Sequence, residues 1–294
     1  MKTKATLQKR AALTNFINQE LKSNPALQGV IGIGSIASGL ARPDSDIDAI
    51  VFLDPFDWYI VPAEFKWNPS TGIFYSIFAE EPEIEKCIQF DFYRLDLTQW
   101  SDPAYAWPEE RCAELRQGWI AFDRDGMVSK LIEDRTTYTE RMRLAKLDEA
   151  ITWLDQHLSD NTPQIRWESL GPIIAHDHLQ AAYYYLVQAL FAYNSCWRTW
   201  RNREMSSLIN LSWLPKNFAD KVLVFQNPSS TEYEGYLKRV EVLRQLFQSL
   251  LDRLVDDQVY GDVIIGEAFM HGHEEPGRAW NMDDWNLKHR EKNE

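Results

Sequence analysis

The chain has little cysteine: Cys87, Cys112 and Cys196 are its only thiols in 294 residues. Three scattered cysteines cannot build a disulfide framework. The fold must therefore rest on its core, and a chain of this length can bury one without a disulfide or metal staple. Long hydrophobic runs are absent too. None reaches the ~18 residues of a membrane-spanning helix, so no membrane partner is expected. The N-terminal MKTKATLQKR is basic, but no apolar stretch follows it as in a secretory signal. A cytoplasmic location is the expectation. Positive charge is also in short supply, because 31 Lys plus Arg against 44 Asp plus Glu leave a formal charge of −13. Broad grip on nucleic acid relies on Lys and Arg neutralising phosphates, so such grip is not expected, nor is a sequence-specific nucleic-acid partner. A small nucleotide held through a metal is compatible with this balance.

What is present is ordinary globular material, 45% hydrophobic and 26% charged. The length suggests about two domains. Apolar residues spaced by three to four predict a helix over 4–22, ended by Pro25 and Gly29. A short buried strand is predicted over 30–34, followed by a small-residue turn over 35–39. A second strand runs over 47–53. The aromatic-rich stretch 57–78 reads as two strands joined by a turn at 68–72. Residues 84–95 alternate well enough for a further strand, and 119–122 for a last short one. Long helical periodicity then takes over, predicting helices at 127–158, 175–200 and 231–257. The expectation is an α+β chain: a sheet-bearing part in residues 1–130, a helical bundle in 131–270, and a charged tail in 271–294.

The chemistry concentrates in residues 34–48, GSIASGLARPDSDID. Gly34-Ser35 ends a strand, ten residues follow Ser35, and then Asp46-Ile47-Asp48 leads into the apolar Ala49-Ile50-Val51-Phe52-Leu53. In a strand, residues i and i+2 point to one face, so Asp46 and Asp48 aim two carboxylates at one spot while Ile47 enters the core. Two converging carboxylates repel unless a cation lies between them. Mg²⁺ favours such oxygen ligands together with substrate phosphates. Asp91, a lone acid among apolar strand residues, is the natural third ligand for a two-metal site. The Gly-Ser turn offers backbone N–H groups to a phosphate.

Gly34-Ser35, ten residues, then Asp46-Ile47-Asp48 resembles the signature of the DNA polymerase β-type nucleotidyltransferase superfamily. The chain is most similar to its antibiotic and minimal members. The strand bearing Asp91 matches the place of that family's third carboxylate. The resemblance covers about residues 28–95, and more loosely 108–200. It implies a small mixed-sheet nucleotidyltransferase domain, with helices on one side of the sheet, followed by a helical bundle domain. It also implies transfer of a nucleoside monophosphate from ATP or another NTP to a hydroxyl, with release of pyrophosphate. Asp46, Asp48 and Asp91 would be the catalytic and metal-binding residues for two Mg²⁺ ions, and Gly34, Ser35 and Ser45 would contact the nucleotide. Asp91 is the plausible acceptor of the hydroxyl proton, with Glu168 and Asp177 as alternatives from the helical part. The acceptor is open among an aminoglycoside- or lincosamide-type small molecule and a protein hydroxyl. A catalytically silent nucleotide-binding module is the remaining alternative. The net charge of −13 suits a cationic aminoglycoside. Oligomeric state is left open.

Other features have plainer readings. Asp44 follows Pro43 in a turn, and Asp54 and Asp96 sit at strand ends. His271-Gly272-His273-Glu274-Glu275 lacks the wider ligand spacing common in zinc sites and has no cysteine near it. His176, Asp177 and His178 form a polar cluster at a helix start. Tyr183-Tyr184-Tyr185 cannot all face one side, so that helix is expected to divide its aromatics between core and surface. Cys87 is expected to be packed rather than reactive.

Overall fold

The computed structural model describes residues 2–80, 82–228, 230–273 and 282–290. It divides into two compact units, Met1–Thr137 and Tyr138–Glu294. In the first, the elements run α1 (Lys4–Phe16), β1 (Leu27–Gly32), α2 (Gly34–Ser38), β2 (Ile47–Leu53), β3 (Glu64–Trp67), β4 (Phe74–Tyr75), β5 (Ile88–Asp96), α3 (Leu97–Ser101), α4 (Glu109–Gln117), β6 (Trp119–Asp123) and α5 (Met127–Thr136). The strands form one six-stranded sheet in the order β4-β3-β5-β2-β1-β6. Among the described strands only β2 and β5 pair in parallel; the other pairs are antiparallel.

The central strands decide the layering. Residues Ala49 to Leu53 are buried without alternation, so both faces of β2 need cover. On one face Ile47, Ala49, Val51, Phe65, Trp67 and Phe90 pack with Leu13 and Phe16 of α1. On the other, Ile31, Ile50 and Phe52 pack with Trp100 of α3, Leu115 of α4, and Val128 and Ile132 of α5. Helices thus lie on both sides of the sheet, not on one side as the resemblance implies. The continuous apolar run in β2 is the reason.

Helix limits follow local chemistry. Thr3 caps α1, accepting from Thr6 N–H. A π-helical turn, Ile17–Leu21, carries the helix on. The strand expected over 84–95 begins only at Ile88, because residues 82–86 turn as a 3-10 helix. The single helix expected over 127–158 is two. Thr137 is extended (ψ 119°), and Thr139 caps the next helix by accepting from Met142 N–H. The expected boundary at residue 130 falls inside α5, which lies wholly in the first unit.

The second unit is helical: α6 (Glu140–Leu158), α7 (Thr162–Leu170), α8 (Pro172–Tyr193), α9 (Arg201–Leu208), α10 (Phe218–Gln226), α11 (Tyr233–Asp256), α12 (Ile264–Gly272) and α13 (Met282–Arg290). One core joins α6, α8, α10 and α11 through Leu147, Leu154, Leu186, Leu190, Phe225, Leu243 and Leu250. The helix expected over 175–200 stops at Tyr193. There Asn194 turns its amide onto the Leu190 and Trp213 carbonyls at 2.8 and 3.0 Å. Short α7, α9 and α10 have too few periodic apolar positions to stand out in sequence. In the stretch expected as a charged tail, α12 reaches Gly272 and Met282–Arg290 is helical, while residues 274–281 and 291–294 lie outside the described residues.

Candidate active site

The site lies where β1 ends and β2 begins. Gly32, the last residue of β1, sits where a Cβ would come within 2.7 Å of the Ile36 side chain. The chain then turns sharply at Gly34, whose φ of +59° is a conformation that side-chain-bearing residues adopt at a cost. That turn starts α2. The N–H groups of its first turn have no acceptors within the helix. Ser35 is part of this turn, and its Oγ is buried with no hydrogen-bond partner among the described residues. A buried hydroxyl without a partner is costly.

The carboxylates arrive from two strands. Asp46 immediately precedes β2, and Asp48 is its second residue, flanking the fully buried Ile47. Parallel pairing sets Asp48 opposite Asp91 of β5. Oxygens of Asp46, Asp48 and Asp91 all lie within 4.8 Å of one another, and all three residues are half-buried. Burial raises the Asp91 carboxyl above the ordinary carboxylate value. Gln89, donating to Oδ1 at 3.5 Å, opposes this. The charge of Asp46, a hydrogen bond shared with it, and the charge of Glu64 push it further up. An all-oxygen donor set under mutual repulsion fits a hard divalent cation such as Mg²⁺. Together with the orphaned Ser35 hydroxyl, these residues fit a metal-bound nucleotide.

The remaining expected positions are also resolved. Ser45 spends its hydroxyl on the Arg42 carbonyl at 2.9 Å, closing the turn before Asp46. Asp44 pairs with Arg42 at 3.3 Å in solvent. Asp96 caps α3 by accepting from Thr98 N–H at 2.9 Å. Glu168 and Asp177 are exposed residues of the helical unit. His176 is held by Arg239 at 2.8 Å and by the Thr231 carbonyl at 3.1 Å. Of the three tyrosines, Tyr183 is buried against Phe225 while Tyr184 is half exposed beneath Arg198.

Two groups of residues at the site were not foreseen. The first is Glu64, which antiparallel pairing of β3 and β5 places opposite Asp91. Asp48, Asp91 and Glu64 thus form a row across three adjacent strands on one face. Only the register reveals this, because the partners are far apart in sequence. The second is a clamp from α1. Lys9 donates to the Ser45 carbonyl. Its ammonium is lowered by burial, against the opposing pull of Asp46 and Asp44. Arg10 donates to the Ile36 and Ala37 carbonyls at 2.9 and 3.1 Å, with its guanidinium 4.5 Å from the Trp119 ring centre. Thr6, fully buried, accepts from Ala41 N–H at 3.0 Å, and Thr3 donates to the Ala41 carbonyl at 2.9 Å. Polar residues on the apolar side of a predicted amphipathic helix were the available signal.

Residues 16–97 match the nucleotidyltransferase domain family. No curated protein matches the chain. Among solved structures, a nucleotidyltransferase-like protein from Exiguobacterium sibiricum is similar at 12% identity and a TM-score of 0.43, over 92% of this chain and 81% of that one. No helix among the described residues is long and apolar enough to cross a membrane. The chain carries a nucleotidyltransferase domain over residues 16–97 and is an enzyme of nucleotidyl transfer.

Proposed function

We propose that this enzyme moves AMP from ATP to a hydroxyl of a small molecule of the aminoglycoside type. The observation that carries the reading is the meeting of Asp46, Asp48 and Asp91 beside the Gly34-Ser35 turn. The first unit, Met1–Thr137, would perform the transfer. Two Mg²⁺ ions held by Asp46, Asp48 and Asp91 would supply positive charge against that developing on the α-phosphate and the leaving pyrophosphate. Ser35 Oγ and the N–H groups that open α2 bind the outer phosphates. Asp91, whose carboxyl burial raises above the ordinary carboxylate value, takes the proton of the attacking hydroxyl. The hydroxyl oxygen bonds to the α-phosphorus, the bond to the β-phosphate oxygen breaks, and pyrophosphate leaves. The net charge of −13 favours a cationic acceptor over an anionic one.

The test incubates the purified chain with each labelled NTP, Mg²⁺, and a panel of aminoglycosides, lincosamides and cell lysate. Label from ATP should pass to an aminoglycoside with release of pyrophosphate, and chelation should stop it. Label on a protein band would move the acceptor to a partner protein. Calorimetry showing equal ATP affinity with Mg²⁺ and with excess chelator would overturn the metal-dependent reading itself.

A further inference from the structure

In-line displacement dictates the side from which an acceptor must approach. The attacking oxygen enters opposite the leaving pyrophosphate. The Gly34-Ser35 turn, which binds the outer phosphates on the reading above, follows β1. The sheet order β4-β3-β5-β2-β1-β6 sets β1 on one side of the β2–β5 pair and β3 on the other. Asp48 and Asp91 stand opposite one another on that central pair. With pyrophosphate leaving on the side of β1, the acceptor hydroxyl comes in from the side of β3.

Register and alternation set what β3 offers there. Phe65 and Trp67 are buried in the core shared with α1. Glu64 and Lys66 therefore belong to the opposite face, that of Asp48 and Asp91. Antiparallel pairing puts Glu64 opposite Asp91 and Lys66 opposite Gln89. Adjacent strands lie about 4.8 Å apart, so Glu64 stands one strand beyond the carboxyl that takes the hydroxyl proton. Its charge is felt at Asp91. It is nevertheless not one of the three residues whose oxygens converge. Glu64 is exposed, and it makes no hydrogen bond or ion pair with a described residue, Lys66 included.

A carboxylate on the acceptor's side, outside the converging set and without a partner in the chain, can take its partner from the acceptor. We propose that Glu64 is a specificity-determining residue. It accepts a hydrogen bond from an ammonium group carried near the attacking hydroxyl, as on an amino sugar, and so selects amino-substituted acceptors over neutral ones. The same charge repels an anionic group at that position. This role of Glu64 rests on the transfer proposed above.

The test measures transfer from ATP, with Mg²⁺, to kanamycin and to fully N-acetylated kanamycin, which keeps the hydroxyls and loses the ammonium charges. The wild-type chain should favour kanamycin by about tenfold or more in kcat/KM, as expected for a hydrogen-bonded charge. Glu64→Gln changes an exposed side chain and should leave the thermal midpoint as it is. It should raise the KM for kanamycin about tenfold. The kcat, the KM for ATP, the Mg²⁺ requirement and the kinetics on the acetylated compound should stay unchanged. Glu64→Asp should recover part of the loss. Equal losses on both compounds, a fall in kcat alone, or a raised Mg²⁺ requirement would overturn the proposal by giving Glu64 a metal or structural role. Kanamycin kinetics unchanged in Glu64→Gln would remove Glu64 from acceptor selection and leave the transfer reading standing. No labelling of kanamycin by the wild type would overturn the acceptor reading and this role together.

Discussion

At Asp46 and Asp48 the chain accepts a local cost. Their carboxylates converge with Asp91, and the Lys9 ammonium beside them has its hydrogen bond at the Ser45 carbonyl. Converging like charges destabilise a fold until a cation joins them. Asp46→Asn or Asp48→Asn keeps the shape and loses the charge proposed to hold a metal. Either variant should lower nucleotidyl transfer by about a thousandfold or more, the scale of several kcal/mol of lost charge stabilisation. In chelator, its thermal midpoint should equal or exceed that of the wild type. Both quantities are read on the same samples, and wild-type transfer rates would remove these acids from the chemistry. A sharp fall in the metal-free midpoint would instead give them a structural role.

Among the elements, α1 does more than cover one face of the sheet. Its apolar side carries Leu13 and Phe16 into the core, while Thr6, Lys9 and Arg10 hold the backbone between Gly34 and Ser45. That segment joins the Gly34-Ser35 turn to Asp46 and Asp48, so its placement sets the distance between them. Thr6→Val tests this at constant volume. The valine leaves Ala41 N–H buried without its acceptor, which should cost about 1–3 kcal/mol in urea unfolding. Transfer should fall with it even where the protein remains fully folded. Unchanged stability would show that Ala41 N–H finds another partner and that α1 does not clamp the segment.

For the molecule as a whole, acid stability should be set in part by His157 of the helical unit. Burial, then the neighbouring charges of Arg166 and His178, push this imidazole down from 6.5 to about 4. The unfolded chain takes up a proton near pH 6.5, and the folded chain only near 4. Stability is therefore complete above about pH 6.5 and declines as pH falls from there towards 4, by up to about 3 kcal/mol. Urea titrations between pH 7.5 and 4 should show this slope, as ordinary experimental conditions allow. His157→Gln should flatten it. An unchanged slope in that variant would assign the acid sensitivity to other groups.

The sequence by itself determined the parts whose signals are local. Strand β2 was legible because its apolar run is continuous and bounded by Asp46 and by Asp54-Pro55. The Gly-Ser turn and the paired aspartates were legible because they fall within fifteen residues of one another. The mixed sheet followed by helices was legible from the change in period. Tertiary structure alone decided the rest. That Asp91 stands opposite Asp48, and Glu64 opposite Asp91, depends on the register of strands separated by loops. A slip of one residue would send these side chains to the other face. The break at Thr137 was passed over although residues 133–141 hold only Tyr138 as an apolar residue; there the extended backbone and the Thr139 cap end one helix and begin another. The clamp by Lys9 and Arg10, and the unpaired hydroxyl of Ser35, were invisible for the same reason. Whether a polar atom has a partner is a property of what folding brings beside it, and no spacing along a chain records that.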